Sequence, residues 1–182
     1  HWDTWTDGRY LRLLGHHVAD TTWLVTRGNW DAPARVTGGG NAGYDVSPDG
    51  EWICFAANAD SNHWETTNKD LWLVSVSSSE PKNITASNLG ADMHPKFSPD
   101  GRYIAYAKQL VPNYEADRVR LAVFDRQTKQ HTILTTTLDN WVADFEWAPD
   151  SKSLYFTLDE QGRRPLYQVD LRDRSWVKLL EN

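Results

Sequence analysis

The chain has 182 residues, 40% hydrophobic and 24% charged, with a formal net charge of −6, within the ordinary range for one globular domain. The negative balance leaves no electrostatic footprint for a phosphate backbone, so no nucleic-acid partner is expected. A single cysteine, Cys54, excludes an internal disulfide framework and a cysteine-based metal site. No apolar run approaches the roughly 18 residues of a membrane span. No residue pattern calls for a cofactor or a metal ion. Aromatic residues make up 12% of the chain, ten of them Trp, which suits an all-β core of pleated surfaces. The chain opens on His1 and its only Met is Met93, so the expectation is that a leader has been removed or that the chain is a segment of a longer protein.

In chain order, Tyr10–Leu14 and Thr22–Thr26 read as strands. They suit the two outer strands of a blade whose inner pair is missing. Asp7-Gly8-Arg9-Tyr10 echoes Asp100-Gly101-Arg102-Tyr103, which leaves a fuller first blade open. Gly38-Gly39-Gly40 then links to a repeated unit. No Lys-Ser/Thr follows these glycines, so they do not form a phosphate loop.

Three copies of the repeat share a turn: Ser47-Pro48-Asp49-Gly50, Ser98-Pro99-Asp100-Gly101 and Ala148-Pro149-Asp150-Ser151. The prolines fall 51 and 50 residues apart, a period of blade-like arrays. Pro fixes φ at the second turn position, Asp bonds back to the backbone, and Gly accepts the exit conformation. Ser151 replaces that Gly at modest expected cost. Each turn feeds a β run: Trp52–Ala56, Tyr103–Ala107 and Ser153–Thr157. A polar loop and a second run follow: Leu71–Val76, Arg120–Asp125 and Leu166–Leu171. The last strands are Lys82–Thr85, His131–Leu134 and Trp176–Leu179.

Four antiparallel strands per period of about 50 residues make one propeller blade. The expected fold is therefore all-β, a partial β-propeller of about three and a half four-stranded antiparallel blades with Ser-Pro-Asp-Gly turns. It is one domain over 1–182, divided into an incomplete blade at 1–37 and blades at 43–85, 93–135 and 143–180.

Several segments resemble the propeller of the prolyl oligopeptidase family of serine peptidases, in its dipeptidyl aminopeptidase and acylaminoacyl peptidase branch. They are the Ser-Pro-Asp-Gly repeats, Glu115-Ala116-Asp117-Arg118, His1-Trp2-Asp3-Thr4-Trp5-Thr6-Asp7-Gly8, and Trp64-Glu65-Thr66-Thr67-Asn68-Lys69-Asp70-Leu71-Trp72. The resemblance implies a seven- or eight-bladed ring covering a following α/β-hydrolase domain with a Ser-Asp-His triad. That domain lies outside these residues, which contain no Gly-x-Ser-x-Gly nucleophile elbow. None of the six His is assigned a nucleophile partner. No catalytic residue is therefore expected here. The implied role is gating access and contacting the N-terminus of a peptide substrate that the parent's hydrolase domain would cleave. The implied location is periplasmic or secreted. The alternative is a TolB-like, non-enzymatic propeller that shares the turn and binds a protein partner.

Strand alternation puts the Ser-Pro-Asp-Gly turns on one face and the long second-to-third loops on the other, where functional residues are expected. By the resemblance, a propeller carboxylate holds the substrate α-amine, because a buried ammonium must be paired. Trp64 with Glu65, an aromatic wall beside an acid, is the first candidate; the competing reading is a solvated loop with Trp64 packed on a neighbouring blade. Glu115 and Arg118 are further substrate-binding candidates. Against this, Glu115, Asp117 and Arg118 would form an internal set of ion pairs and hydrogen bonds that fixes their loop. Asp125 and Asp170 read as turn-forming acids, Cys54 as a small buried hydrophobe, and Asn83-Ile84-Thr85 as a glycosylation sequon of no established use. Terminal blades without neighbours would expose apolar surface, so self-association or rearranged N-terminal strands are expected.

Overall fold

The structure is a computed structural model that describes residues 8–17, 21–35, 42–61, 63–78 and 80–181, without the side chains of His17 and Thr21. The Trp-bearing segment at His1–Asp7 and the Gly38–Gly40 link lie outside the described residues. Strands β1 (Leu14–His17) and β2 (Thr21–Leu24) form a two-stranded sheet. β3 (Tyr44–Val46), β4 (Trp52–Ala57), β5 (Asp70–Ser75) and β6 (Lys82–Asn83) form the first four-stranded blade. β7 (Asp92–Phe97), β8 (Tyr103–Lys108), β9 (Arg120–Asp125) and β10 (His131–Ile133) form the second. β11 (Val142–Trp147), β12 (Ser153–Leu158), β13 (Leu166–Asp170) and β14 (Trp176–Leu180) form the third. Every pairing is antiparallel between chain neighbours, which is the meander of a propeller blade.

A repeated hydrogen-bond pattern identifies the two-stranded sheet. Leu71 N–H donates to Thr85 Oγ1, and the Leu71 carbonyl accepts from Ile84. Leu121 does the same with Thr135 and Leu134, and Leu13 with Thr26 and Val25. β1 and β2 are thus the third and fourth strands of an incomplete blade. The same register corrects two expectations. Regular pairing begins at Leu14 rather than Tyr10, and Gly8–Tyr10 falls where the second-to-third loop ends in the other blades, so the echo of Asp100–Tyr103 marks no hairpin turn.

The turns are built as the sequence chemistry requires. Gly50 N–H donates to the Ser47 carbonyl, and the Asp49 carboxylate accepts from Ser47 Oγ and from Glu51 N–H. The second copy repeats these bonds at Ser98, Asp100, Gly101 and Arg102. Gly50 and Gly101 take φ of 73° and 71°, and Ser151 takes 61° at the equivalent place. Left-handed backbone is costly for a residue with a Cβ. Ser151 sets a bond against that cost: its hydroxyl accepts from Asp100 N–H of the preceding blade at 3.0 Å.

Blades meet through complementary faces. Cys54, Ala56, Leu71 and Leu73 of the first blade pack on Phe97, Ile104, Tyr106 and Phe124 of the second. Ala105, Ala107, Leu121 and Val123 repeat that pattern against Phe145, Trp147, Leu154 and Phe156 of the third. Small residues on one face leave room for aromatic residues on the next, and close packing follows. Cys54 is fully buried as expected, and burial pushes its thiol pKa up. The inner strands are also stitched directly: Asp45 accepts from Phe97 N–H at 2.7 Å, and Trp147 Nε1 donates to the Lys96 carbonyl at 2.9 Å. Gly43, at φ 89°, approaches His94 so closely that a Cβ would sit 3.0 Å from the His94 Cα.

Candidate functional site

The long loops share one face with the blade-to-blade links. Lys69 pairs with Ala91, and Asn88 Nδ2 donates to the Gln109 carbonyl at 2.9 Å. Two second-to-third loops dominate this face, one between β4 and β5 (58–69) and one between β8 and β9 (109–119).

The first loop starts with an Asn58 side-chain carbonyl accepting from Asp60 N–H, makes a single 3₁₀ turn over His63–Glu65, and ends with Asn68 N–H on Thr66 Oγ1. Its base is held by Asp70, whose carboxylate accepts from Asn83 Nδ2 at 2.8 Å and, at longer distance, from Thr85 and Asn68. Burial raises the Asp70 pKa, and those bonds only partly oppose it. Asn83, the sequon residue, thus has its amide committed to Asp70.

The second loop winds around one carboxylate. Asp117 accepts from Leu110 N–H at 2.5 Å, Val111 N–H at 3.0 Å and the Arg120 guanidinium at 3.1 Å. Burial works to raise its pKa, but the two backbone donors and Arg120 win, and it lies below the usual carboxylate range. Gln109 Nε2 adds bonds to the Glu115 and Asp117 carbonyls. The loops touch where Asn113 N–H donates to Thr67 Oγ1 at 3.0 Å and Asn113 Oδ1 accepts from Thr67 N–H at 3.4 Å.

Between the loops lies an open cleft of about 480 Å³, lined by Trp64, Glu65, Thr66, Thr67, Asn113, Tyr114, Glu115 and Ala116. The sequence candidates Trp64, Glu65 and Glu115 therefore meet in one place. Trp64 is 62% exposed, and its neighbour His63 meets it edge-on at 5.0 Å. Arg118 does not join them. Its guanidinium turns to the link before the third blade, donating to the Leu138 and Thr136 carbonyls and lying 3.6 Å from Asp139. Asp125 and Asp170 cap their turns, accepting from Gln127 and Thr128, and from Arg172 and Asp173. Sequence reasoning missed Asn113 and Tyr114; the Pro112-Asn113 pair marks a turn, and Asn113 sits at φ 58°.

Trp64 and Glu115 also line a second cavity of about 260 Å³ that adds Asp31, Arg35, Asn68 and Lys69. Chemically, the pair of concavities offers three carboxylates, Asp31, Glu65 and Glu115, and aromatic walls, suited to gripping a polar ligand. Among the described residues no three His, Cys, Asp or Glu side chains converge as metal ligands would. No described helix is long and apolar enough to cross a membrane.

No family model matches the chain. It is 31% identical to dipeptidyl-peptidase 5 of Porphyromonas gingivalis over 183 residues, which covers 94% of this chain and 26% of that protein. The chain thus spans about a quarter of the length of this relative. Among solved structures it resembles a TolB from Agrobacterium tumefaciens (TM-score 0.65, 16% identity, 90% of this chain and 52% of that one). It also resembles the acylaminoacyl peptidase of Pyrococcus horikoshii (TM-score 0.56, 13% identity, 72% of this chain and 24% of that one). At such identities the structural likenesses establish the propeller fold, and the sequence relative carries the family. The chain is a propeller segment of the prolyl oligopeptidase family.

Proposed function

We propose that this arc is a non-catalytic, substrate-facing wall of a dipeptidyl-peptidase-like serine peptidase, gating access and contacting the free N-terminus of the peptide. The observation that carries the reading is the convergence of Trp64, Glu65 and Glu115, from loops of two adjacent blades, on one cleft. Two carboxylates beside an indole suit an ammonium, which gains charge-assisted hydrogen bonds and a cation–π contact. Glu65 is the primary anchor in this reading, with Glu115 opposite. Arg118 supports the site indirectly by tying the loop's end to the next link. In this reading the hydrolytic residues belong to a further domain, and the protein works in the periplasm or outside the cell. The apolar surface at the arc's ends, including Val177 and Leu180 at 55% and 62% exposure, is covered in this reading by self-association when the arc stands alone.

The test is Glu65→Gln in the full-length polypeptide. A drop in kcat/KM of about 10- to 150-fold on free-amine dipeptide substrates is expected, the effect of losing one charge-assisted bond. N-terminally blocked substrates should change little. Equal losses on both classes, or no loss, would overturn the assignment. The 182-residue chain alone should turn over neither class, and light scattering at micromolar concentration should show more than a monomer.

A further inference from the structure

The smaller cavity is lined by a polar group whose needs the protein leaves unmet. Lys69 is half-buried, makes no ion pair within 4.0 Å, and donates a single long bond, 3.5 Å, to the Thr67 carbonyl. A desolvated ammonium normally finds an anion or a full set of acceptors. Burial lowers its pKa, and the attraction of Glu115 only partly opposes this. Beside it, Asn68 Oδ1 is buried without a donor. The amide orientation follows from its other end, since Nδ2 faces the Asp70 carboxylate at 3.5 Å. Lys69, a cation without a counter-ion, and Asn68 both line one cavity of about 260 Å³.

The anions already present do not fill the gap. Asp31 spends one oxygen on Leu11 N–H at 2.6 Å and the other on Arg35 Nε at 2.9 Å. Glu115 stays beyond ion-pair distance of Lys69 and would itself repel an incoming anion. Arg35 adds positive charge to the lining.

We propose that this cavity is a carboxylate subsite, in which Lys69 takes a peptide carboxylate, from an acidic side chain or a C-terminus. The inference rests on the loop face being the peptide-facing one. It places the carboxylate next to the cleft that holds the amine, with Trp64 and Glu115 forming the shared wall.

The experiment is an NMR titration of the 182-residue chain with four probes. N-acetyl-glutamate N-methylamide offers only a side-chain carboxylate, and N-acetyl-alanine only a terminal one. N-acetyl-glutamine N-methylamide is neutral, and alanyl-alanine amide offers only an amine. At least one carboxylate probe should move the Asn68 side-chain amide signal, and the neutral probe should bind at least about tenfold more weakly; which carboxylate binds names its source. Lys69→Gln should weaken that binding by about 10- to 150-fold. Lys69→Arg should retain it, and Glu115→Gln should tighten it. If neither carboxylate binds, or if Lys69→Gln keeps both its circular dichroism and its affinity, the proposal fails. Failure of the carboxylates with binding of the amine probe would leave the N-terminus reading standing. The reverse pattern would remove that reading and support this one.

Discussion

The loops at 58–69 and 109–119 occupy the same place in successive blades, yet they are held in different ways. The second is wound on a buried carboxylate, with Asp117 binding two backbone N–H groups and Arg120. Beneath it the fully buried Asp92 pairs with Lys108 Nζ at 3.2 Å. The first loop has Ala57 where the second has Lys108, and it is shaped by short-range bonds such as Asn58 to Asp60. It carries the exposed Trp64 outward and leans on its neighbour at Thr67 and Asn113. One blade supplies a rigid post and the other an adaptable arm. The contrast explains how two units of one repeat build a cleft that neither makes alone.

The largest break in the comparison should come from Asp117→Ala. It strands Leu110 and Val111 N–H and leaves Arg120 without its carboxylate, a loss of about 3–5 kcal/mol by analogy with broken buried pairs. Urea unfolding should show the drop. Asn58→Ala, in the first loop, should cost about 1 kcal/mol or less by the same measurement.

The post should also respond to pH with two opposite signs. Burial raises the Asp92 pKa to about 6, against the pull of Lys108. A raised value means that the folded state holds its proton more tightly, so stability falls as pH rises from the ordinary carboxylate range through about 6. The change is on the order of 3 kcal/mol, and Asp92→Asn should flatten it in unfolding curves between pH 4 and about 7. Asp117, held below the usual range, acts the other way: its contribution is complete above the ordinary carboxylate value and is lost as pH falls below it.

A smaller effect should follow from uncoupling arm and post. Thr67→Ala removes the acceptor for Asn113 N–H and should cost about 1 kcal/mol. Hydrogen exchange at Asn113 should quicken while that at Leu110 stays slow; equal acceleration of both would show that the post is not independently held. The smallest change in stability is expected from Trp64→Ala, within about 0.5 kcal/mol, because the indole is mostly in solvent. A larger loss would mean that Trp64 packs as part of the blade rather than standing as a wall of the cleft.

The fold was legible because its signals are local and repeated. Pro at the second turn position, Asp behind it and a residue tolerant of positive φ specify the hairpin within four residues, and three copies set the period. The alternation of small and aromatic residues could be paired between blades only once the sheets were in register. The incomplete first blade shows the limit. Its outer strands were readable from β-forming residues, but their start at Leu14 depends on Leu13 bonding to Thr26, thirteen positions away in sequence.

The site divided along the same line. The sequence by itself determined that Trp64, Glu65 and Glu115 lie on long loops of the same face, because strand alternation is fixed by the backbone. It could not distribute the charges of Glu115-Ala116-Asp117-Arg118. Only the tertiary structure sends Asp117 inward to its own loop, Arg118 to the next link and Glu115 to the cleft, since each choice depends on donors and carbonyls from other parts of the chain. Lys69 shows this most sharply. Nothing in its neighbourhood along the sequence distinguishes it from a surface lysine, and its want of a counter-ion arises only where its own loop, the segment after β2 and the next blade's loop close a cavity around it.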